Sequence, residues 1–195
     1  TTATSPAVRW AAATVAGEAY TSKTGEAVGQ PDARGYHAMA PWDGGETPCA
    51  LLFGGLNERI QRVYGDTWKL CLVNASADGR AALFNWTRLT ALHGGGSSSS
   101  SPGARWGHTI TVLDPGRTIT FGGSSSITPP TYLADAYAFD SRLSIWEALA
   151  TQPSSLSARA SHAVAATSDG LHLLGGSHAS GAMSDHDVLN MSSSV

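Results

Sequence analysis

The stretch RWGHTITVLDPGRTITFGG, residues 105–123, decides the fold. It reads as two apolar segments, His108–Leu113 and Thr118–Phe121, joined at Asp114-Pro115-Gly116. Pro and Gly suit a tight turn for different backbone reasons, and the β-branched residues on either side favour extended chain. The second segment stops at Gly122-Gly123, and Asp135-Ala136-Tyr137 opens a further apolar run. The same order of features occurs on both sides of this stretch. Upstream stand Arg34, His37, Gly54-Gly55 and Asp66-Thr67-Trp68; downstream stand Arg159, His162, Gly175-Gly176 and Asp187-Val188-Leu189. Arg and His are three residues apart each time, and the first Gly precedes the Asp by 12, 13 and 12 residues. A repeat of this length and strand content describes an array of small sheets, each too thin to fold alone.

Working outward, each repeat divides into as many as four strands. In the first repeat they fall near His37, at Cys49–Phe53, at Thr67–Leu72 and at Leu83–Leu89 with Trp86. The second has His108–Leu113, Thr118–Phe121, Ala136–Asp140 and Leu143–Leu149 with Trp146. The third has His162–Ala166, Leu171–Leu174 and Val188–Met191. Val8-Arg9-Trp10 has the character of a fourth strand belonging to an earlier repeat. No segment sustains a 3.6-residue period, so the expected class is all-β. The organisation is residues 1–30 as the end of a preceding unit and linker, 31–92 as one unit, and 104–150 as the next. Residues 151–191 are a partial unit and 192–195 a tail. Between the first two units lies His93–Gly103, a Gly-Gly-Gly and Ser run expected as a loop.

This pattern resembles the kelch repeat, in which about 50 residues make one four-stranded antiparallel blade of a β-propeller. The residues that carry the likeness are the Gly-Gly pairs, the large residue two after each Asp (Trp68, Tyr137, Leu189) and the strand-four Trp86 and Trp146. Pro31-x-x-Arg34-x-x-His37 carries it too. The resemblance runs from Trp10 to Met191 and implies an incomplete propeller, since such rings have about 4–8 blades. It assigns structural roles to Arg34, His37, Gly54, Gly55, Trp68, Trp86, Arg105, His108, Gly122, Gly123, Tyr137, Trp146, Arg159, His162, Gly175 and Gly176. Each Arg is expected to donate to backbone carbonyls at a blade junction, and each Asp to cap a turn. The third unit departs by carrying Leu189 in place of an aromatic.

The totals narrow the function. A formal charge of −3 with scattered Lys and Arg gives no electrostatic footprint for nucleic acid or an anionic membrane surface. No run reaches the roughly 18–20 apolar residues of a spanning helix. The two cysteines, Cys49 and Cys71, fall opposite each other if Phe53 pairs with Thr67, close enough for a bridge. In an intracellular, cytoplasmic protein the expected state is two reduced thiols. Asn74, Asn85 and Asn190 each begin an Asn-X-Ser/Thr triplet, which so Ser/Thr-rich a chain yields by chance, and Asn85 adjoins Trp86. They give secretion no support.

Catalytic and metal chemistry find little footing. His37, His108 and His162 recur in register, which suits a packing role better than a single metal. His172, His178, His186, Asp185 and Asp187 make the last unit His-rich, with spacing that fits neither zinc nor EF-hand patterns. No serine lies in Gly-x-Ser-x-Gly, and Gly94-Gly95-Gly96 lacks the Lys-Ser/Thr of a phosphate loop. Some kelch-like propellers are copper radical oxidases or iron-dependent plant specifier proteins. Neither a Tyr-Cys constellation nor an acidic-His iron motif is present to carry over. The expectation is a non-catalytic protein-interaction module without cofactor or metal, a scaffold subunit of a larger assembly. The alternatives are the substrate-recognition propeller of a ubiquitin ligase adaptor and a metal-dependent propeller enzyme.

Binding residues concentrate on loops held by a rigid scaffold. Leu56–Gly65, Ser124–Ala134 and Ser177–His186 should share one face with the Ser-rich His93–Gly103 loop, because strands alternate direction. The expected partner surface is Asn57, Glu58, Arg59, Gln61, Arg62 and Tyr64, with Tyr132 and His178 beside it. On the other face the Val73–Ala82 connection is the candidate.

Overall fold

A computed structural model describes residues 13–15, 20–21, 27–42, 47–75, 82–90, 101–149 and 156–189. The expectations for Val8–Trp10, for most of the Gly/Ser loop and for the 192–195 tail lie outside these residues. In chain order the strands are β1 (Ala13–Val15), β2 (Tyr20–Thr21), β3 (Ala27–Val28), β4 (Ala38–Trp42), β5 (Cys49–Phe53), β6 (Leu56–Asn57) and β7 (Arg62–Val63). They continue as β8 (Thr67–Ala75), β9 (Ala82–Leu89), β10 (Thr109–Asp114), β11 (Arg117–Phe121), β12 (Ala136–Asp140) and β13 (Ile145–Leu149). The last are β14 (Ala163–Thr167), β15 (Gly170–His178) and β16 (Gly181–Leu189). Among the described residues there is no α-helix, and no helix long and apolar enough to cross a membrane. The protein is all-β.

Three antiparallel sheets follow the three repeats. Sheet one runs β4-β5-β8-β9, with β1 added in parallel outside β9; sheet two runs β10-β11-β12-β13; sheet three runs β14-β15-β16. The inner strands β4 and β14 both pack on β10. Sheet two therefore lies between the others, with a core on each face. Phe139 and Trp146 meet Trp42, Leu51 and Phe53 of sheet one, while Ile119, Phe121 and Ala136 meet Leu171 and Leu173 of sheet three. Period-two alternation along β11 and β12 is what sends apolar side chains to both sides. Trp146 is buried, and its indole N–H donates to Thr67 Oγ1 of sheet one at 3.0 Å.

Two sequence expectations are corrected. The Phe53–Thr67 register holds and places Cys49 opposite Cys71, but the two are joined by a disulfide instead of standing as reduced thiols. Direct cross-strand pairing puts both side chains on one face with their Cα atoms 4.1 Å apart, within reach of a bridge. Ser177–His186 is not a loop. β15 and β16 continue as one ladder to a tip at Ala179-Ser180, because polar residues that alternate with small ones pair as readily as they loop.

Candidate partner-binding surface

The site rests on a junction that repeats with the sheets. Arg34 Nε donates to Asp32 O at 3.1 Å and its Nη1 to Gly54 O at 3.0 Å. Its fork grips Asp66 at 2.5 and 3.0 Å. Arg105 makes the same set with Gly103 O, Gly122 O and Asp135, the last at 2.6 and 2.9 Å. Arg159 repeats it with Ser157 O, Gly175 O and Asp185, and adds Asp187. Arg105 and Arg159 are 1% and 0% exposed, so each buried guanidinium has its charge and donors satisfied. Each Arg donates to backbone carbonyls as expected, but to those of its own sheet and not across a junction, and the Asp residues are counter-ions to the Arg. In sheet three the bidentate partner is Asp185; the hairpin of β15 and β16 shifts the equivalent position two residues upstream of Asp187.

The same arginines join the sheets through their backbones. Gly55 N–H donates to Arg105 O, and Gly123 N–H to Arg159 O, both at 2.8 Å. Gly54 and Gly122, at φ +63° and +64°, leave room there: an added Cβ would lie 2.6 and 2.7 Å from those carbonyl oxygens. A second link is made by residues two after each Arg. Tyr36, Gly107 and Ser161 are all left-handed, and Gly107 N–H donates to Tyr36 O while Ser161 N–H donates to Gly107 O. His108 and His162 stand edge-on to Phe53 and Phe121 of the preceding sheet. Burial, helped by Arg105 and Arg159 respectively, lowers the His108 pKa to about 3 and that of His162 to about 4. Both rings are neutral, as a packing role requires.

Above this framework the 56–65 connection is a built turn. Asn57 Oδ1 accepts from the N–H groups of Arg59 and Ile60, and its Nδ2 donates to Ala33 O at 2.9 Å. Gln61 is left-handed and its Nε2 donates to Glu58 O. Glu58, Arg59, Gln61 and Arg62 are thereby gathered on one exposed turn, with Ile60 at its crest, 59% exposed. Arg62 lies 3.7 Å from Asp32. Tyr64 is placed differently from expectation. It is 3% exposed, with the Arg34 guanidinium 3.9 Å above its ring and that of Arg62 at 5.1 Å. Its side chain supports the turn from beneath and is not part of the surface.

Tyr132, in the connection between β11 and β12, and His178 at the end of β15 come together with ring centroids 5.8 Å apart. The remaining histidines of the last unit disperse. His172 and His186 stack across β15 and β16, His172 reaches Asp169, and Asp185 and Asp187 serve Arg159. Among the described residues, no group of three or more His, Cys, Asp or Glu could hold a metal ion. Sequence reading missed Tyr36 and Trp106, which pair edge-to-face at 5.6 Å across the first junction; Tyr36 is 56% exposed. The signal was there, since both lie within two residues of a motif Arg, where the chain turns outward.

No family model matches the chain, and no curated protein matches it. Solved structures do. One is a chain in a cryo-EM structure of RAG in complex with one melted RSS and one unmelted RSS: 18% identity, TM-score 0.59, covering 79% of this chain and 51% of that one. Another is YjhT, at 13% identity and TM-score 0.56, covering 83% of this chain and 44% of that one. The chain thus spans about half the length of these structures, and likeness at such identity speaks to the fold alone.

Proposed function

We propose that the chain is part of a kelch-type β-propeller and works as a non-catalytic protein-binding module, a scaffold piece of a larger assembly. The observation that carries this reading is a stiff framework beneath an exposed, pre-formed turn. Arg–Asp pairs close sheets two and three, Gly-to-Arg backbone hydrogen bonds join neighbouring sheets, and Asn57 fixes the backbone at Arg59 and Ile60. A pre-formed surface binds without first being ordered, which saves affinity. Exposed Ile60, Arg59 and the Tyr36–Trp106 pair are of the apolar, Arg and aromatic kind that anchors protein interfaces.

The test is cross-linking affinity purification of the full-length protein from its own cells, in parallel with the triple Glu58→Ala, Arg59→Ala, Arg62→Ala variant. A stoichiometric partner set that the variant binds about tenfold more weakly, roughly 1.4 kcal/mol, supports the reading. Retention of every partner by a folded variant removes this turn from the account. A bound stoichiometric metal with turnover overturns the non-catalytic reading.

A further inference from the structure

Paired residues of sheet one form a row across all four antiparallel strands: Trp42 opposite Cys49, Cys49 opposite Cys71, and Cys71 opposite Asn85. The inner end of the row is core and the middle is the disulfide. The outer end is Asn85, exposed on β9. Asn85 begins the triplet Asn85-Trp86-Thr87, and strand alternation treats its members differently. Asn85 and Thr87 share one face and are both exposed, whereas Trp86 points the other way and packs perpendicular to Trp68, with centroids 6.4 Å apart. The bulky middle residue that argued against a surface site anchors the strand and leaves the acceptor free. On the neighbouring β8, Asn74 of Asn74-Ala75-Ser76 is exposed too.

We propose that Asn85 is an N-glycan acceptor, with Asn74 as a second one on the same hairpin, and that this sheet matures in an oxidising secretory compartment. Two independent observations converge. The triplet presents both its Asn and its hydroxyl residue to water on one face, as an acceptor site requires. A disulfide, in turn, persists where thiols are oxidised and is rare in the cytosol. Here the bridge and the acceptor are neighbours in one row. The glycan is bulky and solubilising, and Asn85, exposed on β9 just past the last residue paired with β1, offers it solvent. In the transfer, Asn85 Nδ2 bonds to the anomeric carbon of a polyprenyl-diphosphate-linked oligosaccharide. The carbon–oxygen bond to the diphosphate breaks, the lipid diphosphate leaves with that electron pair, and an amide proton passes to solvent. This replaces the cytoplasmic placement drawn from the expectation of reduced thiols, and it is independent of whether the 56–65 turn binds a partner.

The experiment is peptide mapping of the mature protein isolated from its own cells. Trypsin releases Asn85 in the peptide that runs from Ala81 to Arg88. Expected is that this peptide is found only after enzymatic removal of N-glycans, with Asn85 converted to Asp, and that Cys49 and Cys71 take no alkylating label before reduction. An Asn85 peptide recovered wholly unmodified overturns the assignment, as does ready labelling of both thiols without reductant. In the same cells Asn85→Gln and Thr87→Ala should each remove one glycan's mass, and Thr87→Ser should keep it. A Thr87→Ala protein that is folded and unchanged in mass also overturns it.

Discussion

Sheets two and three are built from nearly the same motif and live in different surroundings. Sheet two is covered on both sides: Phe139 and Trp146 are buried against sheet one, and Ile119 and Phe121 against sheet three. Among the described residues, sheet three is covered on one. Its outer residues Leu174 and Val188 are 56% and 39% exposed, and His172 and His186 stack at its surface. The internal parts of the motif are the same in both, down to the Arg fork on an Asp and a Gly carbonyl. What differs is whether the Gly pair receives a neighbouring sheet. The motif therefore does two separable jobs, closing its own sheet with the Arg side chain and docking the next sheet with the Gly backbone.

The largest effect should come from testing that separation at Gly122 and Gly175. Both are left-handed, at φ +64° and +61°, so an Ala side chain strains either backbone by about 1–2 kcal/mol. At Gly122 the new Cβ would also lie 2.7 Å from Arg159 O of sheet three, and at Gly175 it meets only Met183 O of its own sheet at 3.2 Å. Overpacking against fixed backbone adds about 1–3 kcal/mol. Gly122→Ala should then cost roughly 2–5 kcal/mol in urea unfolding and Gly175→Ala markedly less. Gly123 and Gly176 serve as controls, because an added Cβ meets a carbonyl of the same sheet at 2.8 Å in both. Equal losses at Gly122 and Gly175 would break the comparison.

Sheet one adds a covalent tie that neither of the other sheets has. Cys49 and Cys71 are 22 residues apart, and closing a loop of that size in the unfolded chain is worth about 3 kcal/mol in the chain-entropy account. The Cys49→Ala, Cys71→Ala variant should lose about that much in urea unfolding, with amide exchange rising first in β4, β5, β8 and β9. Faster exchange in β14 to β16 instead would mean that sheet three depends on sheet one through sheet two, and that the sheets are one cooperative unit.

How far the sequence could be read follows from the same division. β5 and β12 stand where composition and turn chemistry put them, and the Cys49–Cys71 register follows from alternation. These are local signals. The bridge itself was misjudged because redox compartment, not local geometry, was used to decide it. The β15–β16 hairpin was missed because Ser177 to His186 carries little apolar content, and its pairing is set by partner strands instead of by its own pattern. At the candidate site, Asn57 to Arg62 were legible as a charged connection. The burial of Tyr64 was not, because it depends on Arg34 from 30 residues earlier in the chain. Tyr36 and Trp106 each stand within two residues of a motif Arg and were legible one by one; their pairing, which crosses two repeats, was not.

Acid should find the covered junctions next. His108 and His162 are neutral in the fold, with pKa values of about 3 and about 4, against an ordinary 6.5 once unfolded. Below about pH 6.5 the unfolded chain gains protons that the fold refuses, so stability falls as pH falls from 6.5 toward those lower values. Each ring contributes about 1.4 kcal/mol per pH unit across its window. Thermal unfolding from pH 7 to pH 4.5 should show this slope, and His162→Gln should flatten it in part. His37 is the exposed member of the set, and partial desolvation of its ring, then Arg34, lowers its pKa from the ordinary value. His37→Gln should leave most of the slope in place. A slope that survives loss of both His108 and His162 would move the acid sensitivity away from the junctions.

The smallest effect belongs to the turn above the framework, and it tests whether surface and scaffold are as separate as the two halves of the motif. Asn57→Ala removes two hydrogen bonds accepted from Arg59 and Ile60 and one donated to Ala33 O. A lost cap of this kind costs about 1 kcal/mol. Because the residues it holds are exposed, the loss should appear as faster amide exchange at Arg59, Ile60 and Gln61, with the urea midpoint nearly unmoved. Partner affinity should fall further than stability, since an unfixed turn must be ordered on binding. If Asn57→Ala instead shifts the midpoint as much as Gly122→Ala, the turn is part of what holds the sheets, and a rigid scaffold carrying an independent surface is the wrong description.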